Sequence, residues 1–279
     1  MYLIAECGIN ANGNIDIVDA MIRKAALAGA DAVKFQKREI DTVYTKDFLE
    51  SPRESPWGTT QREQKEGLEF SFEDYITISR ICREVNIDWS ASAWDLKSLE
   101  MVESFGPPWH KIASAMVTNK DFVRQVARYG RPTIISTGMQ NMRDIQETLD
   151  YFLKHYNEPI HNVALLHCVS LYPCPDELCN INAIPKLRAT FPTLRIGYSG
   201  HERGIEPTLM AIGLGAEIIE RHFTLDRTQY GSDQAASLEP KGLALIREYG
   251  DQIEKCMGDG IKIALPEEME CARKLRWWE

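Results

Sequence analysis

Along this chain, short apolar runs alternate with segments of helical spacing. The runs lie at about Tyr2 to Cys7, Asp31 to Gln36, Ile87 to Ser92, His110 to Ser114, Thr133 to Thr137, Val163 to Cys168, Leu194 to Ser199 and Glu217 to His222. Their length and apolar content suit buried parallel strands. Between them, positions such as Ile17, Ala20, Met21 and Ala25, or Phe122, Val126 and Tyr129, mark one face of a helix, often followed by a terminating glycine as at Gly29, Gly130 and Gly215. Strand and helix alternating eight times predict an α/β protein with a single (β/α)8 TIM barrel over residues 1–257. A doubly wound sheet is the competing arrangement.

Two segments break the rhythm. Residues 41–69 are polar and punctuated by Pro52, Pro56, Gly58 and Gly67, which predicts a long loop after the second strand, on the face where barrels carry their active sites. Gln61 and Arg62 within it are candidates to reach a substrate. Residues 258–279 read as a C-terminal extension packed on the barrel, with Trp277 and Trp278 against the barrel or a neighbouring subunit.

In a parallel barrel the chemistry collects at the carboxyl ends of the strands. In chain order, those ends carry Glu6; Lys34 and Gln36; Ser90 and Ser92; Lys111 and Ser114; Ser136 and Thr137; His167, Ser170 and Tyr172; Ser199 and His201; Glu220 and His222. His201 and His222 end consecutive strands around a helix at about Ile205 to Leu214. Two imidazoles meeting at one sheet edge make a divalent-metal site. A lysine inside an apolar strand is costly to bury unless it meets an anion, so Lys34 and Lys111 with the serine hydroxyls form a candidate phosphate pocket. The alternative is that both lysines bridge Glu6 or Glu220 as structural ion pairs. His110, His155 and His161 lie upstream of strands or on helical faces and read as structural.

The chain has 279 residues, 44% of them apolar and 26% charged, enough for one barrel-sized core or two small domains. Its formal charge of -9 argues against nucleic acid as a partner, although a few lysines can still dominate one pocket. No basic stretch followed by a long apolar one opens the chain, and no apolar run approaches the roughly 20 residues that span a bilayer. A cytoplasmic location without membrane partners is therefore expected. The seven cysteines are scattered, odd in number and mostly set in apolar runs, as for reduced thiols; Cys174 to Cys179 lacks the spacing of a zinc knuckle or redox motif.

The succession Glu6-Cys7-Gly8-Ile9-Asn10, Val33-Lys34-Phe35-Gln36, Lys111-Ile112-Ala113-Ser114, Ile135-Ser136-Thr137-Gly138-Met139, Leu166-His167-Cys168 with Tyr172-Pro173, Gly197-Tyr198-Ser199-Gly200-His201 and Glu220-Arg221-His222-Phe223-Thr224 resembles the sialic acid (N-acetylneuraminate) synthase family. The resemblance extends from Glu6 to about Pro240. It implies a transferase of carbohydrate biosynthesis that condenses phosphoenolpyruvate with an acyclic hexose or N-acylhexosamine of mannose type. The products would be a nine-carbon 2-keto-3-deoxy acid and phosphate, with Mn2+ or Mg2+ as cofactor. On this likeness His201 and His222 hold the metal and Glu6 manages the proton of the attacking water. Lys34, Lys111, Ser92, Ser114, Ser136 and Ser199 hold phosphoenolpyruvate, while Gln36, Ser170, Tyr172 and Asp233 complete the substrate site.

The resemblance covers the barrel without the antifreeze-like domain that follows it in full-length members, so a separate capping protein is a candidate partner beside a homo-oligomer, most simply a dimer. Members often carry His at Ala11, a carboxylate at Met116, Asn at Ser170 and Asp at Gly200. Met116 and Ser170 are expected on the sugar and phosphate side. Another barrel aldolase or lyase working through a lysine imine, and an inactive sugar-binding subunit, are the other readings.

Overall fold

The computed structural model describes residues 1–278. In chain order its strands are β1 (Tyr2–Gly8), β2 (Ala32–Lys37), β3 (Pro52–Ser55), β4 (Gly58–Thr60), β5 (Asp88–Ala93), β6 (His110–Ile112), β7 (Thr133–Ser136), β8 (Val163–Cys168), β9 (Arg195–Gly200) and β10 (Ile218–His222). The helices are α1 (Ile15–Leu27), α2 (Ile40–Val43), α3 (Lys46–Glu50), α4 (Gln61–Leu68), α5 (Phe72–Glu84), α6 (Leu96–Ser104), α7 (Lys120–Tyr129), α8 (Met142–Leu153), α9 (Ala183–Thr190), α10 (Glu206–Gly213), α11 (Pro240–Met257) and α12 (Pro266–Leu275).

Eight strands form one parallel sheet in the order β5-β2-β1-β10-β9-β8-β7-β6. The two end strands meet without a ladder, and the Ser90 hydroxyl donates across that seam to the Trp109 carbonyl at 2.7 Å. The result is the nearly closed (β/α)8 barrel that the alternation predicts.

The pleat explains why the site lies inside one end of it. Alternate residues point to opposite faces of a strand. On β1, β2 and β10 the outward set, including Leu3, Ala5, Val33, Phe35 and Ile219, joins the core under the helices. The inward set begins apolar, with Ile4, Ala32 and Ile218 packed with Trp109, Ile134, Ala164 and Leu166 into a plug that fills the barrel. Two residues further along each strand the same face presents Glu6, Lys34 and Glu220, all buried. Gly197 makes the plug possible: a Cβ there would lie 2.2 Å from the Ile218 carbonyl oxygen and 2.5 Å from Leu166.

Residues 41–69 are more ordered than the sequence predicts. They fold into α2, α3, the antiparallel hairpin β3–β4 and α4. Local hydrogen bonds account for this: Thr60 and Glu63 form a reciprocal capping box that starts α4, and the Thr45 side chain caps α3. Trp57 fixes the insert to the barrel, lying against Gly67 and 5.7 Å edge-to-face from Tyr230. The tail also departs from expectation. α12 has no buried residue, and Trp277 and Trp278 are 86% and 66% exposed and pack on each other. None of its described residues is buried, unlike the closely packed extension that the sequence suggested. All seven cysteines are free, and among the described residues no helix is long and apolar enough to cross a membrane.

Candidate active site

The residues that the family resemblance assigns to the site all open onto one cavity of about 420 Å³ at the carboxyl end of the barrel: Glu6, Lys34, Gln36, Ser92, Lys111, Ser114, Ser136, Ser170, Tyr172, Ser199, His201, His222 and Asp233. Register explains much of the convergence. Glu6 pairs with Lys34 on one side and His222 on the other, while Glu220 pairs with Ser199 and Gln36 with Ser92.

Charge is arranged in layers. Deepest are Lys34, Lys111, Glu6 and Glu220, each at most 5% exposed. The Lys34 ammonium lies 2.5 Å from Glu6 Oε2, a close ion contact whose angle does not make it a hydrogen bond, and 3.8 Å from Glu220 Oε1. It also donates to Ser92 at 2.9 Å. Lys111 donates to Glu220 Oε2 at 2.7 Å, and Ser199 donates to Glu220 Oε1 at 3.1 Å. The lysines thus do bridge the glutamates, as the structural alternative anticipated, and they line the cavity as well.

The two lysines are not equivalent. Burial disfavours both ammonium groups, but Lys34 sits between two carboxylates that outweigh it and hold its pKa above the ordinary lysine value. Burial keeps Lys111 below that value, because Glu220 alone supports it while Lys34 repels it. Glu220 is buried too, yet the lysines hold its carboxyl well below the usual range. Lys111 is therefore the buried cation that gains most from an incoming anion.

Facing Lys111 is a cradle of small groups. The Gly138 amide donates to Ser114 Oγ at 3.0 Å, and a Cβ at Gly138 would lie 2.3 Å from Ser170 Oγ and 2.7 Å from Ser114 Oγ. Ser170 Oγ is buried and has no hydrogen-bond partner, an atom open to a ligand.

On the opposite wall, His201 and His222 are buried with ring centroids 5.4 Å apart. His201 Nδ1 lies 2.8 Å from the Val169 carbonyl oxygen. A carbonyl only accepts, so Nδ1 carries the proton and Nε2 keeps its lone pair for a ligand. Burial, with His222 beside it, pushes the His201 pKa down to about 3, so the ring is neutral at pH 7. His222 Nδ1 is buried without a hydrogen-bond partner, 3.6 Å from Asp233 Oδ2. Imidazole nitrogens open to a ligand, beside a carboxylate, suit a divalent cation. Among the described residues no three His, Cys, Asp or Glu gather as a complete metal set. The protein therefore has two nitrogens to offer, and other positions fall to substrate and water. Tyr172 covers this pair, 4.1 Å from the His201 ring and 5.6 Å from that of His222.

Some expectations fail. Met116 is buried in the hydrophobic core and does not line the cavity, because Ser114–Met116 forms a 3-10 turn that carries its side chain away. Arg62 is engaged by Asp41 and Glu66 outside the cavity, and Gln61 does not line it either. His167 donates to the Cys179 carbonyl at 2.8 Å behind the wall. Arg38, Tyr44, Lys65, Glu69 and Trp94 line the cavity mouth without having been singled out. Arg38 and Trp94 lie two residues beyond Gln36 and Ser92, so the inward alternation carried past the strand ends would have found them.

Comparison with known proteins bears on the family and the fold. The chain matches the NeuB family over residues 21–262. It is 40% identical over 276 residues to the N-acetylneuraminate-9-phosphate synthase of Homo sapiens, covering 98% of this chain and 76% of that protein. It is 35% identical over 271 residues to the N,N'-diacetyllegionaminic acid synthase of Campylobacter jejuni, covering 96% and 80%. The crystal structure of N-acetylneuraminic acid (sialic acid) synthetase from Leptospira borgpetersenii, in complex with citrate, superimposes with a TM-score of 0.85 at 31% identity, covering 99% of this chain and 93% of that one. With a family match across most of its length and relatives this similar, the chain belongs to the NeuB family.

Proposed function

We propose that the barrel mouth condenses phosphoenolpyruvate with the open-chain aldehyde of an aldose, giving a nine-carbon 2-keto-3-deoxy acid and inorganic phosphate. The observation that carries this reading is one cavity lined both by an anion-binding set, Lys111 with Ser114, Ser136 and Ser170, and by the pair His201 and His222.

In the reaction, C3 of phosphoenolpyruvate forms a carbon–carbon bond to the aldehyde carbon while water adds at C2. The tetrahedral intermediate then collapses with C–O cleavage, and the leaving phosphate takes the bridging oxygen. Lys111 and the small hydroxyls hold the phosphate end, and Lys34 and Ser92 hold the carboxylate. Glu6, fixed by the Gln36 amide donating to its Oε1 at 2.9 Å, is placed to take the water proton in a site that excludes bulk solvent. His201 and His222 would hold a divalent cation such as Mn2+ or Mg2+, which when bound polarises the sugar carbonyl. Tyr172 and Asp233 border that position and orient the sugar. An imine mechanism needs a neutral lysine, which the two carboxylates around Lys34 oppose; borohydride trapping with substrate tests it at Lys111.

The test is phosphate release from phosphoenolpyruvate by the whole chain against mannose, N-acetylmannosamine and their 6-phosphates. Release dependent on both substrates is expected, and release with none of these sugars would sink the reading. The binding half makes its own prediction. Lys34→Ala and Lys111→Ala each lose charge-assisted contacts to phosphoenolpyruvate, weakening its affinity about 10- to 100-fold. Titration calorimetry on variants shown by thermal unfolding to be folded checks this. Unchanged affinity in both would place the pocket elsewhere.

The names of the relatives leave the far end of the sugar open. One makes a 9-phosphate and another N,N'-diacetyllegionaminic acid.

A further inference from the structure

Glu6 is held by a chain of hydrogen bonds that runs up the cavity wall to an arginine. Gln36 on β2 donates from Nε2 to Glu6 Oε1 at 2.9 Å, and its own Oε1 accepts from Arg38 Nη2 at 2.5 Å. A glutamine side chain can present either end of its amide to a neighbour. Arginine has no acceptor and a carboxylate no donor, so between Arg38 and Glu6 only this orientation satisfies both. Turned over, the amide would set oxygen against oxygen at Glu6 and its NH2 against the guanidinium. The main chain of Gln36 is fixed as well, because Tyr75 on α5 donates to its carbonyl at 3.0 Å. Arg38 is clamped in turn. Its guanidinium carbon lies 4.3 Å from the Trp94 ring centroid, and Glu69 both balances its charge at 3.8 Å and accepts from its backbone amide at 3.1 Å. The turn after β1 closes over the far end of the chain: a Cβ at Gly8 would lie 3.1 Å from both Gln36 Nε2 and Glu6 Oε1.

We infer that Arg38 is a positioning residue for the condensation: clamped by Trp94 and Glu69, it fixes the Gln36 amide and, through that amide, the Glu6 carboxylate. The inference rests on the synthase reading above, in which Glu6 takes the proton of the attacking water. With Oε1 engaged by Gln36, Oε2 is the oxygen left to receive that proton, and it is buried with no hydrogen-bond partner. The charge-assisted bond from Arg38 also polarises the amide and strengthens its bond to Glu6. A carboxylate that swings away by about 1 Å loses its alignment with the water while staying in the cavity, so the effect of Arg38 falls on the chemical step. The groups assigned to phosphoenolpyruvate, Lys34, Ser92, Lys111 and the small hydroxyls, make no contact in this chain of bonds beyond Glu6 itself.

The experiment is a double-mutant cycle read as kcat and KM, using whichever of mannose, N-acetylmannosamine and their 6-phosphates the wild-type chain turns over best. Arg38→Met should lower kcat about 10- to 100-fold, the usual cost of removing the partner that orients an active-site group. Its KM for phosphoenolpyruvate, its affinity for that ligand by titration calorimetry and its melting temperature should stay close to wild type. Arg38→Lys, which keeps a charge and a donor for Gln36, should recover part of kcat. In Gln36→Leu the chain is already cut, so adding Arg38→Met should change kcat by less than about twofold. Equal losses of kcat from Arg38→Met in the two backgrounds overturn the inference, because Arg38 then acts independently of Gln36. A raised KM for the sugar with kcat unchanged also overturns it and makes Arg38 a substrate contact. So does a fall in melting temperature together with lost phosphoenolpyruvate affinity, which assigns Arg38 to the fold alone. No turnover by wild type overturns the inference together with the reading beneath it.

Discussion

Replacing either His201 or His222 with alanine should remove activity, by about three orders of magnitude or more, while leaving the fold intact. The magnitude follows from the site's composition. The described residues offer a divalent cation only these two imidazoles and no third clustered ligand, so losing one halves the protein's share of the coordination. Polarisation of a carbonyl by a bound metal contributes several kcal/mol in the transition state, and each 1.4 kcal/mol is about tenfold in rate. The fold should survive because both rings border the cavity instead of the apolar plug. Only the Nδ1 hydrogen bond of His201 to Val169 is lost in His201→Ala, and His222 Nδ1 makes none. Thermal unfolding and turnover should therefore separate: nearly unchanged melting, abolished phosphate release. Dialysis against a chelator should reproduce the loss in the wild-type chain, and Mn2+ or Mg2+ should restore it. Full turnover by metal-free protein would remove the histidines from the mechanism.

What the sequence made legible follows the reach of strand periodicity. A residue two positions beyond an apolar, inward-facing one lies on the same face, so Glu6 after Ile4, Lys34 after Ala32 and Glu220 after Ile218 could be placed inside the barrel mouth from the pattern alone. The same rule covers His222, Ser92 and Ser136. It stops where the backbone leaves the strand. Met116 was expected on the substrate side, but a 3-10 turn after β6 rotates it into the core. The insert of residues 41–69 looked like a loop because its elements are short and polar, and it is ordered by capping bonds, by the isolated buried Leu49 and Leu68 and by the partly buried Trp57 against Gly67, with no continuous apolar stripe to read. Lys65 is invisible for that reason: its place depends on how α4 docks. Nor could the sequence say how Lys34 and Lys111 divide Glu6 and Glu220 between them, since that depends on distances across the barrel. The tail misled in the opposite sense. Trp277 and Trp278 read as packing residues, yet both are exposed and α12 before them buries no residue.

Arg221 illustrates a part of the site that lies behind it, and it carries the second large expectation: Arg221→Met should destabilise the fold by about 3 to 5 kcal/mol, the usual loss when one partner of a buried ion pair is removed. Arg221 sits between Glu220 and His222 on β10 but faces away from the cavity, fully buried. Its guanidinium donates to Glu202 Oε1 and Thr208 Oγ1 at 2.8 Å each, to the Gly204 carbonyl at 2.9 Å and to the Glu202 carbonyl at 2.5 Å. Glu202, also fully buried, takes further bonds from Tyr198 at 2.9 Å and Thr208 at 2.6 Å. One arginine thus ties the strand that ends at His222 to the turn that begins at His201. Methionine there leaves the Glu202 carboxylate buried without its cation, and at this chain length the melting temperature should fall by roughly 10 °C. Changing both partners, as in Arg221→Met with Glu202→Leu, removes the stranded charge and should recover part of the loss, because an apolar pair can replace a buried ion pair at little net cost. A double-mutant cycle measures the coupling between them. A loss below about 1 kcal/mol in the single variant would show that water or a rearranged turn compensates Glu202, and that the two histidines do not depend on this arginine for their placement.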